Sequence, residues 1–164
     1  MRRLTLLRHA KSDWSTPSKN DFDRPLNQRG ESNGELIGTR LKNNGVRPSL
    51  IISSDAVRAM ATARLIARNI GYPIEFIQPD HDLYLASPAS IIDVLEREGE
   101  NYNDVMVVGH NPGLTELANR LCNSQIDNIP TCGVFAVDIE IDSWTDLVNT
   151  QGTLNYFDYP KNKC

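Results

Sequence analysis

The stretch LTLLRHAK, residues 4–11, begins as an apolar run and ends in cationic and polar side chains. A short apolar run of this kind is typical of a buried strand in the centre of a parallel sheet. The predicted strand ends at Arg8 and His9, and ligands of open α/β sheets bind at the carboxyl ends of the strands. The stretch therefore predicts a central strand that presents His9 as a nucleophile and Arg8 as an anion-binding side chain beside it.

Strand and helix patterns alternate along the rest of the chain. Further strands are predicted at 50–52, 74–77 and 105–108, with helices at about 31–44, 56–69, 88–97 and 111–122. Two β-like runs, 133–141 and 152–157, close the chain. This order predicts one domain, residues 1–164, folded as a three-layer α/β/α sandwich with a mostly parallel central sheet and an antiparallel edge strand.

Composition limits the classes of partner. The net charge of −4 argues against a general nucleic-acid or anionic-membrane binder, so any anion site must be local. No apolar run approaches the roughly 18–20 residues of a membrane span. Cys122, Cys132 and Cys164 lack paired spacing, and we expect them to be free thiols of a cytoplasmic protein.

A second predicted strand also ends in histidine. Residues 105–108 run into Gly109 and His110, so both histidines would lie at the same edge of the sheet. One histidine at a strand end is more often structural than catalytic, but two at one edge are harder to explain that way. Because a neutral imidazole is a competent nucleophile at phosphorus, the pair indicates phosphoryl chemistry.

Arg58 falls in the first turn of the helix that follows the second strand. A solvated surface arginine is the ordinary interpretation. Free N–H groups and the helix dipole already attract anions to this end of a helix, so a cation is misplaced there unless an anion binds. Arg8, which ends an apolar strand, also needs a partner, and guanidinium groups suit phosphate oxygens.

Other kinds of site are not indicated. The chain has no GxxxxGK[ST] loop, no GxGxxG after a strand and no G-x-S-x-G elbow. No cysteine near a strand end is followed five residues later by arginine, which argues against a cysteine phosphatase. Three histidines without HxH or HExxH spacing make a metal site improbable, so we expect neither metal nor cofactor.

Residues 6–12, LLRHAKS, resemble the RHG signature of the histidine phosphatase superfamily, in the RHA form of SixA-type phosphohistidine phosphatases. The resemblance continues in residues 23–30 (DRPLNQRG), 53–63 (SSDAVRAMATA), 82–84 (DLY) and 107–113 (VVGHNPG). These blocks keep the family's order over about residues 4–121 and are specific together, although the RHA tripeptide alone is not. The resemblance implies a phosphoglycerate mutase-like fold.

The resemblance also implies roles for single residues. His9 would be the phosphate-accepting nucleophile, and Arg8, Arg58 and His110 would complete the phosphate pocket. Arg24, in the RPL block, matches a position expected to line the same pocket.

Asp82 lies where the family places its proton-donating acid, although glutamate is commoner there. A solvated loop carboxylate is the alternative interpretation of Asp82.

The chain departs from the family pattern in two ways: Ala10 replaces the usual glycine, and the long insertions of sugar-phosphate mutases are absent. The pocket is therefore expected to be shallow and open, which fits a protein side chain better than an enclosed metabolite.

The implied function is metal-independent hydrolysis of protein phosphohistidine through a phospho-His9 intermediate, with a phosphocarrier or a histidine phosphotransfer domain as partner. One alternative is a broad or small-molecule phosphomonoesterase with the same site. A non-catalytic phosphoprotein-binding module is another, which the presence of both histidines disfavours. The sequence leaves the oligomeric state open, and residues 131–163 show no identifiable site.

Overall fold

A six-stranded sheet runs through the centre of the molecule. The structure, a computed structural model, describes residues 1–15 and 20–162. The strands are β1 Arg2–Arg8, β2 Leu50–Ser54, β3 Gln78–Asp80, β4 Asp104–Gly109, β5 Val134–Ile139 and β6 Thr153–Asp158. Their order in the sheet is β3-β2-β4-β1-β5-β6. Strand β1 thus occupies the interior position that its apolar run predicts.

The pairing of the strands gives a mixed sheet. Strands β1, β2, β3 and β4 pair in parallel, whereas β5 runs antiparallel to β1 and β6 antiparallel to β5. The predicted fold class is confirmed, with the antiparallel strand β5 lying one position inside the edge. Antiparallel neighbours need only a short connection, and the chain enters β6 after a 3₁₀ turn at Trp144–Asn149.

Within the described residues, four α-helices cover the two faces of the sheet. They are α1 Gln28–Asn43, α2 Val57–Ile70, α3 Pro88–Glu98 and α4 Gly113–Cys122. Leu4 and Leu6 of β1 pack in one buried cluster with residues of α3 and α4, and Leu7 packs in another with residues of α1 and α2. Because both faces are covered, the strand is apolar on both sides, as its sequence showed.

The first turn of α1 is fixed beside the end of β1. The Asn27 side chain accepts a hydrogen bond from the Gly30 amide at 2.7 Å, which caps the helix. A Cβ atom on Gly30 would lie only 2.1 Å from the Lys11 carbonyl oxygen. Glycine is therefore required for α1 to approach the segment that follows His9.

The prediction of a strand at residues 74–77 is wrong. Residues Ile74–Phe76 form a 3₁₀ turn, in which the Phe76 amide donates to the Pro73 carbonyl at 3.0 Å. The strand in this region is β3, displaced toward the carboxyl end and interrupted by Pro79. Proline lacks the N–H that an interior strand needs, but β3 lies at the edge of the sheet, where proline is tolerated.

The described residues include two of the three cysteines. Cys122 and Cys132 are free thiols, and Cys164 lies outside the described residues, as does part of the loop after β1. Within residues 1–15 and 20–162, no helix has both the length and the apolar character needed to cross a membrane. The same residues contain no group of three His, Cys, Asp or Glu side chains placed to hold a metal ion.

Candidate active site

His9 and His110 meet at the carboxyl ends of β1 and β4. The strands are adjacent and in register, with Arg8 opposite Gly109, and the His9 amide donates to the Gly109 carbonyl at 3.1 Å. The two imidazole centroids are 5.2 Å apart, and the residues are only 7% and 3% exposed. The sheet register therefore brings the two strand-end histidines into one buried site.

The His9 imidazole is held with its unprotonated nitrogen toward Arg58. Its Nδ1 lies 2.7 Å from the Ala10 carbonyl oxygen, and because a carbonyl only accepts, Nδ1 carries the proton. The Nε2 lone pair accepts from Nε of Arg58 at 3.3 Å. Burial lowers the pKa of His9 to about 4, the hydrogen bond to Ala10 opposes this, and nearby arginines lower it further. His9 is therefore neutral at physiological pH, as a nucleophile must be.

Arg58 is the most connected cation of the site. It is 2% exposed, and its Nη1 and Nη2 donate to the backbone oxygen and carboxylate of Asp21 at 2.7 and 3.0 Å. One turn along α2, the Thr62 hydroxyl donates to the Arg58 carbonyl and accepts from the Ala10 amide. This hydroxyl ties the start of α2 to the end of β1, which fixes Arg58 beside His9.

His110 is oriented by Ser54 and Arg58. Nη2 of Arg58 lies 3.4 Å from His110 Nδ1, and since guanidinium only donates, Nδ1 accepts. The Nε2–H of His110 then donates to the Ser54 hydroxyl, 2.8 Å away. Burial is the main cause that lowers the pKa of His110 to about 3, and electrostatic interactions with the His9 ring and Arg58 lower it further. Both histidines therefore enter the site uncharged.

Arg8 is a cation without a counter-ion among the described residues. Its Nη1 donates to the Ile129 carbonyl at 3.1 Å, and its buried Nε has no described hydrogen-bond partner. Burial, followed by repulsion from Arg58, lowers the pKa of the Arg8 guanidinium. A half-buried guanidinium that lacks an anion favours an anionic ligand.

Arg24 lies in the same cavity as the nucleophile. Arg8, His9 and Arg24 all line a cavity of about 280 Å³. The Arg24 guanidinium donates to the Ser12 hydroxyl and to the Asp21 carboxylate, and it stacks 3.4 Å above the ring centroid of Trp14. The structure thus brings together the arginines at positions 8, 24 and 58 with both histidines.

Asp21 is a site residue that the sequence analysis missed. Its carboxylate accepts hydrogen bonds from Arg58, Arg24 and the Tyr84 hydroxyl. Burial opposes ionisation, but these hydrogen bonds outweigh it and hold the pKa of Asp21 below its ordinary value. Asp21 is therefore an anionic anchor for two arginines and not a proton donor. Its position three residues before Arg24 was the only local signal.

Asp82 lies outside this network. It is part of a 3₁₀ turn, His81–Leu83, and its side chain is 65% exposed. Its carboxylate is 3.4 Å from Arg97, and its amide donates to Asp80. The role of Asp82 as proton donor stays a prediction, since none of these contacts involves the cavity of His9.

The two buried histidines predict acid-sensitive stability. Their pKa values, about 4 and about 3, lie below the ordinary 6.5, so protonation favours the unfolded chain. Their stabilisation is complete above about pH 6.5 and is lost as the pH falls toward those lower values. For His9 the full effect is roughly 3 kcal/mol. Urea unfolding between pH 7 and 4 should show a steeper decline for the wild type than for His9→Asn, and equal declines would contradict this assignment.

Comparisons with known proteins agree with this geometry. Residues 4–79 match the model of the histidine phosphatase superfamily, branch 1. An uncharacterised chloroplast protein of Arabidopsis thaliana is 31% identical over 160 residues, covering 92% of this chain and 72% of the relative. The fold and site define a histidine-based phosphoryl-transfer protein. The chain belongs to the histidine phosphatase superfamily.

Two solved structures share the fold of the chain. A protein of Agrobacterium tumefaciens assigned as the phosphohistidine phosphatase SixA is 28% identical, with a TM-score of 0.82 and coverage of 97% and 98% of the two chains. The protein histidine phosphatase SixA complexed with tungstate has a TM-score of 0.80 at 20% identity, covering 96% and 97%. The chain is therefore of the SixA type.

Proposed function

We propose that the protein hydrolyses phosphohistidine on a partner protein through a covalent phospho-His9 intermediate, without a metal ion. The observation that carries this proposal is the His9 tautomer: Nδ1 donates to the Ala10 carbonyl, so Nε2 carries the lone pair, which accepts from Nε of Arg58. His9 also lines a cavity together with Arg8 and Arg24. A neutral nucleophile next to an uncompensated cation is suited to attack an anionic phosphoryl group.

The proposed reaction has two displacements. Nε2 of His9 forms a bond to phosphorus while the bond from phosphorus to the substrate imidazole breaks. The substrate imidazole would leave as a neutral ring, because its other nitrogen carries a proton. Water then attacks the phospho-His9 phosphorus and releases inorganic phosphate and neutral His9. Arg8, Arg58 and His110, together with Arg24, would surround the equatorial phosphate oxygens. Their fixed positions would supply most of the rate enhancement. The Ala10 carbonyl would stabilise the positive imidazole ring during phosphorylation.

The shape of the site supports a side chain of a protein as the substrate. The cavity that holds His9 extends to Trp14, which is 75% exposed. An exposed aromatic ring at the rim of a phosphate site offers a contact surface to a protein partner. The Agrobacterium relative, assigned as a phosphohistidine phosphatase, supports the same substrate class.

The test compares two substrates in the presence of a chelator. A histidine phosphotransfer domain, phosphorylated with phosphoramidate, is the protein substrate, and p-nitrophenyl phosphate is the small one. We expect a higher kcat/KM for the phosphoprotein. A preference for the small ester would instead identify a general phosphomonoesterase, since a cavity of about 280 Å³ also admits a small phosphate ester. Absence of turnover with a stable phospho-His9 adduct would identify a binding module.

Asp82→Asn tests the predicted proton donor. We expect it to slow hydrolysis of alkyl phosphates by about tenfold or more and to leave phosphohistidine hydrolysis nearly unchanged. An alkoxide needs a proton as it leaves, whereas imidazole is the better leaving group. The measurement is kcat on β-glycerophosphate and on the phosphorylated phosphotransfer domain.

Asp80→Asn is the matched control for Asp82→Asn. Both carboxylates contact Arg97, Asp80 at 2.6 Å and Asp82 at 3.4 Å. The control therefore separates loss of the Arg97 ion pair from loss of a proton donor. Equal losses on both substrates, or equal losses in both variants, would contradict the donor role.

A further inference from the structure

A second cavity adjoins the cavity of His9. It has a volume of about 400 Å³, and its wall shares Arg8, Lys11 and Thr131 with the cavity of His9. Tyr159 and Lys161, from the segment after β6, also line this cavity. We call this second cavity the tail groove. The tail groove therefore lies directly beside the cavity of His9.

The lining of the tail groove is cationic. Three of its lining residues are the cations Arg8, Lys11 and Lys161, and none of the described lining residues is a carboxylate. No ion pair joins any of the three cations to a carboxylate in residues 1–15 and 20–162. The whole chain carries a net charge of −4, so this positive groove is a local feature.

The wall that carries Lys161 is held by α1. Arg40 of α1 forms an ion pair with Asp158 at 3.2 Å and donates to the carbonyl oxygens of Tyr159 and Asn162 at 3.1 and 3.0 Å. The Asn162 amide also closes a turn onto the Tyr159 carbonyl at 2.9 Å. These contacts fix residues 158–162 beside the tail groove. Lys161 is therefore held in position in the wall of the groove.

We propose that the tail groove binds an acidic segment of the phosphoprotein substrate, adjacent to its phosphorylated histidine. The proposal rests on the proposed function, because the segment must belong to the molecule whose phosphate enters the cavity of His9. Unpaired lysines would attract carboxylates, and the amides of Asn33 and Asn128 would bind peptide groups. Tyr159 adds an aromatic surface. Cations, amides and an aromatic ring together fit a peptide segment better than a second small anion.

Charge reversal at Lys161 tests the proposal. Lys161→Glu should raise KM for a phosphorylated phosphotransfer domain with acidic residues beside its histidine by roughly tenfold. Turnover of p-nitrophenyl phosphate should stay within about twofold, because its nitrophenyl group carries no carboxylate for Lys161 to attract. High salt should reduce the difference between Lys161→Glu and wild type. Lys42→Glu, an exposed lysine of α1 that does not line the groove, is the matched control.

The outcomes separate this inference from the proposed function. If the wild type prefers the phosphoprotein and Lys161→Glu behaves like Lys42→Glu, the groove proposal is wrong and the proposed function stands. If the wild type prefers the small ester, both are wrong. A loss for Lys161→Glu on a small bisphosphate but not on the phosphoprotein would assign the groove to a second phosphate and overturn the protein-segment proposal.

Discussion

His9→Asn is expected to lower kcat by more than about 10³-fold on both the phosphorylated phosphotransfer domain and p-nitrophenyl phosphate. Asparagine can still donate to the Ala10 carbonyl, the contact that His9 Nδ1 makes at 2.7 Å. Its amide lacks a nucleophilic nitrogen, because the nitrogen lone pair is delocalised into the carbonyl group. The covalent step is therefore lost while the local hydrogen bond can persist. Steady-state kinetics with purified variants is the measurement.

The fold of the His9 variant provides the control. The residue is buried, so thermal unfolding must show that His9→Asn remains folded before its activity is interpreted. His9→Ala, which removes the donor as well, should be equally inactive. Activity of His9→Asn within tenfold of wild type would show that His9 is not the nucleophile.

Arg58→Lys is expected to reduce kcat by about 10²–10³-fold on both substrates. The guanidinium contacts His9 Nε2 at 3.3 Å, Asp21 at 2.7 and 3.0 Å, and His110 at 3.4 Å. A lysine ammonium is a compact charge that cannot span these directions or bind two phosphate oxygens in a fork. The variant keeps the positive charge but loses the directional N–H donors of the guanidinium, so it tests the contribution of those donors.

Arg64→Lys is the matched control, because Arg64 lies on the same helix with an exposed side chain. It should leave kcat unchanged. Asp21→Asn should give an intermediate loss, since Arg24 and Arg58 would each lose their anionic anchor while keeping their own charges. Arg58→Lys activity within twofold of wild type would contradict the proposed role of the guanidinium.

The centre of the fold could be predicted from local sequence because its physical cause is local. An apolar run that ends in polar residues fixes β1, and strand–helix alternation fixes the parallel sheet around it. Register then follows from neighbouring strands, which is why His9 and His110 meet. The position of the edge strand β3 was not predicted, because Pro79 weakens its strand pattern. An edge strand tolerates this proline because it pairs with only one neighbour, β2.

The remaining parts of the site depend on contacts between distant segments. Asp21 reaches Arg58 and Tyr84 only because residues 21–23 pack against α2. The tail groove similarly needs Arg40 of α1 to hold Asp158, a pair separated by 118 residues. No local periodicity encodes such pairs, and residues 131–163 consequently showed no site in the sequence.

The most direct test of the account is rapid-quench labelling of the wild type. The enzyme is mixed with a phosphotransfer domain carrying ³²P-phosphohistidine, quenched in base, where phosphohistidine is stable, and digested for peptide mapping. The phospho-His9 mechanism predicts an acid-labile label on the peptide containing His9, which forms and decays at rates compatible with turnover. Phosphate release without any label on His9, or a competent label on another residue, would contradict it.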